Sequence, residues 1–532
     1  MLLTFIGACH EVTGSSFLLQ YDGLNILIDS GMKQGISELV SAPLPINEWE
    51  IDYIVLTHAH IDHSGNIPLL YKKGFRGKVI CTIGTKELCN IMLKDSAYIQ
   101  MSDAAWINKH NKRSGKEEIE SLYNIEDVEN VLKRFEGYEY DDVISISDNI
   151  SVKFHDAGHL LGSASISVML GDEDTYKTIV FSGDIGNENQ PLIKNPSYID
   201  HADYVVMEST YGNRLHSKPE DYVILLANII QKTFDRGGDL IIPSFAVGRA
   251  QELLYFIREI KERNLIKGHQ NFKVYLDSPL ANEATEIYDK RALSYCNSET
   301  AALIKQGINP IIFNGLVRTT SVLDSRAISA NENPKIIISA AGMCDAGRIR
   351  HHLKHNLWRS ECTVMFVGYQ AVGTLGRIIL DGATKVKIFG EEIKVSAEII
   401  QFPGISAHAD RNGLTRWISA LSNKPKKVFV VHGDDDAAVN FCHHLMDDCG
   451  LDAVAPYSGT EYNLLTNEFE HTSGPTKVVV ESHENSFSKS FSKLLDAYEN
   501  LGEVVNMYEY AANKDIEKFS MQICDLAQRW DD

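Results

Sequence analysis

The stretch YIVLTHAHIDHSG, residues 53–65, decides the fold of this chain. It opens with an apolar run typical of a buried β-strand, and four metal-capable side chains follow: His58, His60, Asp62 and His63. His58 and His60 lie two residues apart on an extended strand end and therefore project to one side, whereas Asp62 and His63 lie where the chain turns into a helix. Imidazole nitrogens and carboxylate oxygens are ordinary zinc ligands, so the stretch predicts a site for two adjacent metal ions.

Three further candidate ligands come later in the chain, each just after a predicted strand. GHLLGSAS contains His159, SGDIG contains Asp184 and VVHGD contains His432. A single histidine or aspartate on a loop is usually just solvated, so none of the three would indicate a site alone. Their order and their position at strand ends, where functional loops gather, bring the set to seven candidate ligands. Asp29 ends another predicted strand in NILID.

The hydrophobic pattern predicts two kinds of architecture. Residues 2–207 contain short alternating strands and helical patterns near 85–100 and 126–135, which suggests a layered αββα domain. From about residue 212, helices alternate with buried strands, as in a parallel α/β domain. Strands near Ala397–Gln401 and Lys427–Val431 then end in histidine-bearing turns, as though the first domain resumed after an insertion.

The order of these motifs resembles the metallo-β-lactamase superfamily, whose fold is a β-sandwich flanked by helices. The resemblance implies two zinc ions per chain, with a hydroxide between them as the nucleophile. Two ions about 3.5–4 Å apart can stabilise both the attacking and the leaving oxygen of a phosphodiester. Asp29 would orient the histidines by hydrogen bonds, although a plain turn aspartate is the alternative. By the same resemblance, one zinc is assigned to His58, His60, His159 and bridging Asp184, and the other to Asp62, His63, His432 and the same Asp184.

The inserted region resembles the β-CASP group of nucleases within this superfamily. ESTYGNR, with Glu208, is similar to the group's motif A, and FPGISAHADRNG, with His408, is similar to motif B; His432 stands for motif C. IPSFAVGRAQELL, DSPLA, AAGMCDAGRIRHHLKHNL and GYQAVGTLGR follow in the group's order. The implied fold is a metallo-β-lactamase sandwich over 1–207 and 396–462, interrupted by a parallel α/β domain over 208–395 and followed by an extension over 463–532.

A histidine at motif C goes with RNA substrates in this group. The resemblance therefore implies a ribonuclease similar to the pre-mRNA 3′-end-processing endonuclease and its bacterial relatives, leaving 5′-phosphate and 3′-hydroxyl ends. We expect Glu208 and His408 to form a hydrogen-bonded pair that neutralises charge or protonates the departing oxygen. The alternatives are an RNase J-like 5′→3′ exonuclease, a small-molecule metallohydrolase and an inactive scaffold.

Four residues outside the metal motifs are candidates for substrate contacts. Ser244 and Ser406 lie in turns whose hydroxyl and N–H groups could bind phosphate oxygens, although ordinary turn chemistry is an alternative. Arg249 and Arg377 could contact the RNA backbone, or form surface salt bridges instead. The histidines at 351, 352 and 355 fall within a helical pattern, and we expect them on a solvated or phosphate-facing helix surface.

Composition limits the remaining choices. The 532 residues carry a formal net charge of −21, which argues against sequence-independent nucleic-acid binding through bulk electrostatics. Nine cysteines without a CxxC pair fit reduced thiols in a cytoplasm, and no apolar stretch is long enough to span a membrane. Residues 466–532 hold 13 acidic and 6 basic side chains and predict two amphipathic helices, near 487–498 and 516–523. A homodimer is left open.

Overall fold

The computed structural model describes residues 1–35, 39–172, 175–216, 221–371, 373–403, 406–477, 501 and 513–528. Residues Met1–Thr476 form one compact unit, and Lys477–Asp532 form a second. In chain order the strands are β1 Leu2–Gly7, β2 Ser16–Tyr21, β3 Leu24–Ile28, β4 Tyr53–Val55, β5 Lys78–Thr82, β6 Phe135–Tyr138, β7 Val143–Ser147, β8 Ile150–Asp156, β9 Ala164–Leu170, β10 Lys177–Phe181, β11 Tyr204–Glu208, β12 Leu240–Pro243, β13 Lys273–Leu276, β14 Leu316–Arg318, β15 Lys335–Ser339, β16 Thr363–Phe366, β17 Lys385–Ile388, β18 Glu391–Lys394, β19 Glu398–Gln401, β20 Lys427–Val431, β21 Ala453–Val454, β22 Glu461–Asn463 and β23 Glu468–His471.

The α-helices in the described part of the chain alternate with these strands. They are α1 Ile61–Ser64, α2 Ile67–Lys72, α3 Ile83–Ser114, α4 Ile125–Leu132, α5 Tyr222–Asp235, α6 Arg249–Glu262, α7 Pro279–Tyr295, α8 Ser298–Lys305, α9 Val322–Ala330, α10 Ile349–Asn356, α11 Leu375–Leu380, α12 Arg411–Ser419, α13 Asp435–Asp447 and α14 Asn513–Gln528.

Two mixed sheets pack face to face in the first domain. One has the strand order β23-β22-β1-β2-β3-β4-β5-β6 and the other β21-β20-β11-β10-β9-β8-β7. Side chains of both sheets, such as Phe5, Phe17, Phe154 and Phe181, fill the layer between them. Strand β8 illustrates how a strand contributes to this layer. Its residues alternate between buried and half-buried positions, so one face of the strand points into the layer.

Helices cover the outer face of each sheet. Leu88 and Leu93 of α3 pack on the outer side of the first sheet, and Trp417 of α12 and Phe441 of α13 pack on the second. The result is the αββα sandwich that the motif order predicts, so the predicted fold class is confirmed.

A six-stranded parallel sheet, in the order β14-β13-β15-β12-β16-β19, forms the inserted domain. Helices α5 and α6 cover one face, while α10, α11 and the β17–β18 hairpin cover the other. Coverage on both faces explains the continuous apolar runs of β12 and β15. The insertion is therefore a separate α/β layer structure, as the change in hydrophobic pattern predicts.

Strand pairing crosses two of the predicted domain limits. Strand β19 pairs in parallel with β16, so the inserted sheet includes Glu398–Gln401, beyond the limit predicted at residue 395. At the other end, β22 pairs with β1 and β23 pairs with β22. The first sheet therefore continues to His471, past the expected limit at residue 462.

The second unit is described only in part. Helix α14 confirms helical structure over residues 516–523, whereas the predicted helix near 487–498 lies outside the described residues. None of the helices in the described ranges combines the length and the apolar character that crossing a membrane requires.

Candidate metal centre and active site

Carboxyl ends of adjacent parallel strands supply most of the predicted site residues. Strands β3 and β4 run parallel in the first sheet, so Asp29 and His58 come at the same edge. Strands β10, β11 and β20 run parallel in the second sheet and end near Asp184, Glu208 and His432. Because the two sheets are stacked, these edges meet at one end of the sandwich. Backbone geometry contributes as well, since Asp29 and His432 adopt left-handed φ angles of 58° and 50° that turn the chain sharply.

The first ligand group consists of His58, His60 and His159. Nε2 of His58 lies 3.1 Å from Nδ1 of His60, and Nε2 of His159 lies 3.2 Å from the same atom. Oxygen Oδ2 of Asp184 lies 3.4 Å from His58 and 3.5 Å from His159. Four ligand atoms from distant parts of the chain therefore converge on one point.

The second ligand group consists of Asp62, His63 and His432. The Nε2 atoms of His63 and His432 are 3.2 Å apart, and Oδ2 of Asp62 lies 3.5 Å from that of His432. Here the other oxygen of Asp184, Oδ1, completes the set at 3.2 Å from His63 and 3.6 Å from His432. Asp184 thus presents one carboxylate oxygen to each group.

These two groups fit zinc. Ligand atoms bound at 2.0–2.1 Å in a tetrahedron lie about 3.3 Å apart, which is the spacing found in both groups. Asp184 Oδ1 is buried and has no hydrogen-bond partner among the described residues, an arrangement that is costly unless a cation satisfies it. The nitrogen and oxygen donor set is the one that zinc accepts.

Hydrogen bonds behind the imidazoles fix which nitrogen faces each centre. Nδ1 of His63 lies 2.7 Å from Oδ2 of Asp29, and Nδ1 of His159 lies 3.2 Å from the carbonyl oxygen of Ala407. Those oxygens can only accept, so both Nδ1 atoms carry the proton and both Nε2 atoms are left as ligands. Asp29 also accepts hydrogen bonds from the backbone N–H and the hydroxyl of Thr57, each at 2.8 Å.

Two threonines complete this supporting layer, and sequence reasoning missed both. The hydroxyl of Thr57 donates to Asp29 and therefore accepts from Nδ1 of His58 at 3.0 Å. The hydroxyl of Thr210 donates to the carbonyl of His432 and accepts from Nδ1 of the same residue, both at 3.1 Å. Thr57 directly precedes His58, and Thr210 follows Glu208 by two residues. Their position inside these motifs is the sequence feature that could have indicated their role.

Burial and charge act differently on the two groups. Burial lowers the pKa of His60 to about 3, and it also lowers the pKa values of His58 and His159. Burial lowers the pKa of His63 and His432 too, but nearby carboxylates, Asp184 foremost, outweigh it and raise both pKa values. These shifts favour the neutral, metal-binding imidazole in the first group, whereas protons compete more strongly with a metal in the second group.

A third pair, Glu208 and His408, lies beside the bridging aspartate. The Nδ1 atom of His408 is 3.3 and 3.2 Å from the two carboxylate oxygens of Glu208, and its Nε2 atom is 3.9 Å from Oδ2 of Asp184. Burial lowers the pKa of His408, but the charges of Glu208 and Asp184 raise it to about 9. Glu208 is fully buried, and its carboxylate also accepts hydrogen bonds from the backbone N–H groups of Ile185 and Thr210. Both of its oxygens are therefore hydrogen-bonded. Together with Asp184 the pair lies close enough to form a third potential metal-binding group, and the raised pKa favours a protonated imidazole there.

The inserted domain contacts the metal centre directly. Gly248, just before α6, approaches Leu160 so closely that a Cβ atom would lie 3.1 Å from the leucine side chain. The hydroxyl of Tyr288 accepts a hydrogen bond from the N–H of Leu161 at 3.3 Å. These contacts fix the loop that bears His159 against the inserted sheet. The metal centre therefore lies at the junction of the two domains.

The four predicted substrate residues have intramolecular partners. Arg249 forms an ion pair with Glu252, and Arg377 forms one with Asp381 at 2.9 Å. The hydroxyl of Ser244 donates to the carbonyl of Phe245, and the hydroxyl of Ser406 accepts from the N–H of His408. Their contacts with substrate stay a prediction, and an RNA phosphate would share each arginine with a carboxylate or displace it.

One expectation about the histidine cluster on α10 is wrong. His352 is buried, and its Nε2 atom lies 2.6 Å from Oδ2 of Asp277. His351 and His355 are on the exposed side, as expected. The helical pattern places three histidines in one turn, but it cannot say that one of them points into the domain.

Fold and ligand geometry together define a metallohydrolase with two ligand groups and an inserted α/β domain. Comparison with known families agrees with that class. A metallo-β-lactamase superfamily model matches residues 11–223, a β-CASP domain model matches 250–379, and a Zn-dependent metallo-hydrolase RNA specificity domain model matches 392–456. A ribonuclease of Thermus thermophilus is 36% identical over 82% of this chain and 94% of its own length. The chain belongs to the metallo-β-lactamase/β-CASP ribonuclease family, which confirms the resemblance.

Other relatives carry different names. Transcription termination factor FttA of Methanosarcina mazei is 33% identical over 82% of this chain and 68% of its own length. An RNase J-like protein of Methanocaldococcus jannaschii is 29% identical over 86% of this chain and 99% of its own length.

Proposed function

We propose that this protein is a two-zinc ribonuclease that cuts within RNA chains and leaves 5′-phosphate and 3′-hydroxyl ends. The observation that carries the proposal is the position of Asp184. It presents one buried oxygen to each ligand group and lies 3.9 Å from the imidazole of His408. A metal-binding centre and a proton donor are thus held within reach of one phosphate. The Thermus relative is named a ribonuclease, which supports RNA as the substrate.

The chain's own residues divide the work of hydrolysis. Zinc, when bound, supplies Lewis-acid chemistry that lowers the pKa of water and stabilises charge on phosphate oxygens. Glu208 holds the His408 imidazole in its protonated form, with Nε2 turned towards Asp184. That Nε2 proton can pass to the departing 3′ oxygen, which becomes the 3′-hydroxyl. Asp29, Thr57 and Thr210 keep the ligand imidazoles in the required tautomer.

Cleavage within the chain is favoured over cleavage from a 5′ end. A 5′→3′ exonuclease has to hold the terminal phosphate, and arginine is the residue best suited to that task. Arg249 and Arg377, the two arginines proposed to contact substrate, are already ion-paired with Glu252 and Asp381. These carboxylates compete with a terminal phosphate for the two arginines. Cleavage within the chain needs no binding pocket for a terminal phosphate.

Circular RNA separates the two modes in one assay. Metal-loaded protein is incubated with a circular RNA, with the same RNA in linear form, with DNA and with a β-lactam. An endoribonuclease opens the circle, and its products accept ligation at the 5′ end and polymerase extension at the 3′ end. An intact circle beside a linear RNA that shortens from its 5′ end would identify an RNase J-like exonuclease. Hydrolysis of the β-lactam alone would identify a small-molecule hydrolase.

We further propose that the protein works in a cytoplasm with reduced thiols. All nine cysteines, from Cys9 to Cys524, are free, and Cys81, Cys89 and Cys344 are among the buried ones. Free buried thiols are typical of reducing compartments. Homodimer formation stays a prediction, which light scattering on the full-length chain would test.

A further inference from the structure

An aromatic surface with one arginine outside the ion pairs lies on the inserted domain, away from the metal ligands. Residues 346–360 contain four basic side chains, and Arg348, Lys354 and Arg359 pair with Asp277, Glu391 and Asp239. Arg350 forms no ion pair with a carboxylate of the described residues. We define the α10 surface as Arg350, His351, His355 and Trp358, together with Phe389. Nothing in the proposed reaction uses these residues.

Packing holds the charged part of this surface in place. Phe389 lies in the turn of the β17–β18 hairpin, where it and the following glycine both have positive φ angles. The Phe389 ring lies 4.5 Å from the His351 ring, and the guanidinium carbon of Arg350 lies 4.6 Å above the Phe389 ring. Cation–π and stacking contacts thus fix two cationic or donor groups side by side at the surface.

Aromatic exposure is the second feature. Trp358 is 59% exposed and Phe389 is 48% exposed. His351, His355 and Trp358 follow one another at helical spacings of four and three residues, so they share a stripe that runs about 12 Å from Arg350 to Trp358. His352 points inward to Asp277 and takes no part.

A series of packing contacts links the start of α10 to the loop of the ligand His159. Gly248 packs on Leu160, beside His159, and Phe245 lies in the same loop as Gly248. A Cβ atom at Gly342 would lie 3.2 Å from the Phe245 ring, so the loop after β15 touches this segment. That loop leads into α10, where the N–H of Ile349 donates to the carbonyl of Ala340 at 3.2 Å.

We propose that the α10 surface binds single-stranded RNA beyond the scissile phosphate, an inference that rests on the proposed ribonuclease function. Arg350 and His351 contact phosphate oxygens, and a base stacks on Trp358. Basic side chains beside exposed aromatic rings are the means by which proteins bind single strands without reading sequence, and Arg350 beside Phe389 and Trp358 offers that combination. The surface therefore lengthens the bound segment and lowers KM for long RNA, while the chemistry at the metal centre is unchanged.

The test compares long and short fluorescein-labelled oligouridines by anisotropy, using full-length, zinc-loaded protein with His408→Ala so that the RNA persists. Combining Arg350→Gln and Trp358→Ala should weaken long oligouridine binding about tenfold or more, since one stacked base alone contributes a factor of that order. Binding of an oligouridine too short to leave the metal centre should not change. The slope of log affinity against log salt concentration should become less negative by about 0.7 for each phosphate that the variant no longer neutralises.

Kinetics and controls give the inference its second readout. In the otherwise unaltered protein, Trp358→Ala should raise KM for long RNA without changing kcat, and Trp358→Phe should restore most of the loss. The matched controls are Trp106→Ala and Arg263→Gln, which change exposed residues on α3 and just after α6. They should bind like the parent.

Two outcomes would overturn the inference. If the double variant bound long oligouridine like the parent, the α10 surface would not be an RNA site, and a protein partner would become its occupant. Equal losses for long and short oligouridine would indicate damage to the fold or the cleft. Binding is measured without turnover, so a protein that binds RNA but never cuts it would disprove the proposed function and leave this inference standing.

Discussion

The two ligand groups differ in charge although they share Asp184. His58, His60 and His159 form a group of three neutral imidazoles without a carboxylate of its own. The second group contains Asp62 and is backed by Asp29, and the pKa values of His63 and His432 are raised there. One group is thus built by burial and the other by charge. The comparison teaches that two adjacent ligand groups can be built by opposite electrostatic means, with one carboxylate linking them.

Removing the link should have the largest effect. We expect Asp184→Ala to lose metal from both groups, because Oδ2 of Asp184 lies beside His58 and His159 and Oδ1 lies beside His63 and His432. Activity should fall by more than about 10⁴-fold, which is the largest loss usual when one acid–base group is removed. Elemental analysis and RNA cleavage measure both losses, with Asp452→Asn, an exposed carboxylate paired to Lys427, as the control. Two zinc ions retained in Asp184→Ala would refute the bridging role.

A change outside both groups should separate chemistry from metal binding. We expect His408→Ala to keep two zinc ions and to slow RNA cleavage by about 10²–10⁴-fold, the usual contribution of a general acid. Glu208→Gln should act in the same direction, because it removes the charge that keeps His408 protonated. Metal content and single-turnover rates measure the two effects. Loss of one zinc from His408→Ala would make this residue a ligand instead.

Lowering the pH should release metal from the two ligand groups one after the other. Protons compete with metal for His63 and His432, whose pKa values are raised, so metal affinity of the second group should weaken first as pH falls. The pKa of His60 is about 3, so the first group should keep its ion over the same range. Zinc content after dialysis at stepwise lower pH gives the order. Simultaneous release, or earlier release from the first group, would contradict the electrostatic difference.

A smaller change should affect one group more than the other. Asp29→Asn keeps the acceptor of the Thr57 N–H but replaces Oδ2, which accepts from Nδ1 of His63 and from the Thr57 hydroxyl, by an amide group. We expect zinc affinity of the second group to fall about 10–100-fold, as is typical when the partner of a ligand is altered. Calorimetric titration of metal-free protein should show this weakened site and a smaller change at the first group, whose His58 donates to Thr57. If both sites weakened equally, Asp29 would have a structural role in the strand end.

Removal of the second unit should have the smallest effect. Every proposed ligand and acid–base residue lies before residue 433, and the first sheet ends at His471. Ending the chain after Thr476 keeps β22, β23 and the hydrogen bond from Val40 to Thr476. We expect zinc content and cleavage rate within about twofold of the parent, a difference of less than about 0.5 kcal/mol. A folded truncation that binds zinc but does not cut RNA would assign a catalytic role to the tail.

Local motifs made the metal centre predictable. Metal ligands need particular residue types at strand ends, and HAHIDH, GHLLG and SGDIG display both properties in the sequence. Supporting hydrogen bonds were harder to foresee, because Thr57 and Thr210 are ordinary strand or turn residues until the fold brings them to an imidazole. Asp29 was the exception, since it ends a strand in a recognised position.

Long-range pairing explains most errors about the fold. A helix expected over residues 126–135 ends at Leu132, because Phe135 pairs with Val79 of β5 and starts a strand. The apolar spacing of Val128 and Val131 fits a helix, and nothing local marks the change at Phe135. For the same reason the sequence did not indicate that Glu398–Gln401 pairs with β16, which lies in a separate segment of the chain.

Strand β20 lies between β11 and β21 in the second sheet. His432, which directly follows β20, contacts the loop after β1, because its N–H donates to the carbonyl of Ala8 at 2.7 Å. A ribosome makes the chain from the N-terminus, and domains fold as they emerge. The inserted sheet can therefore form before the second ligand group is complete. Until residue 432 has left the exit tunnel, the growing polypeptide holds six of the seven candidate ligands. The second ligand group is thus completed only after the whole inserted sheet has been synthesised.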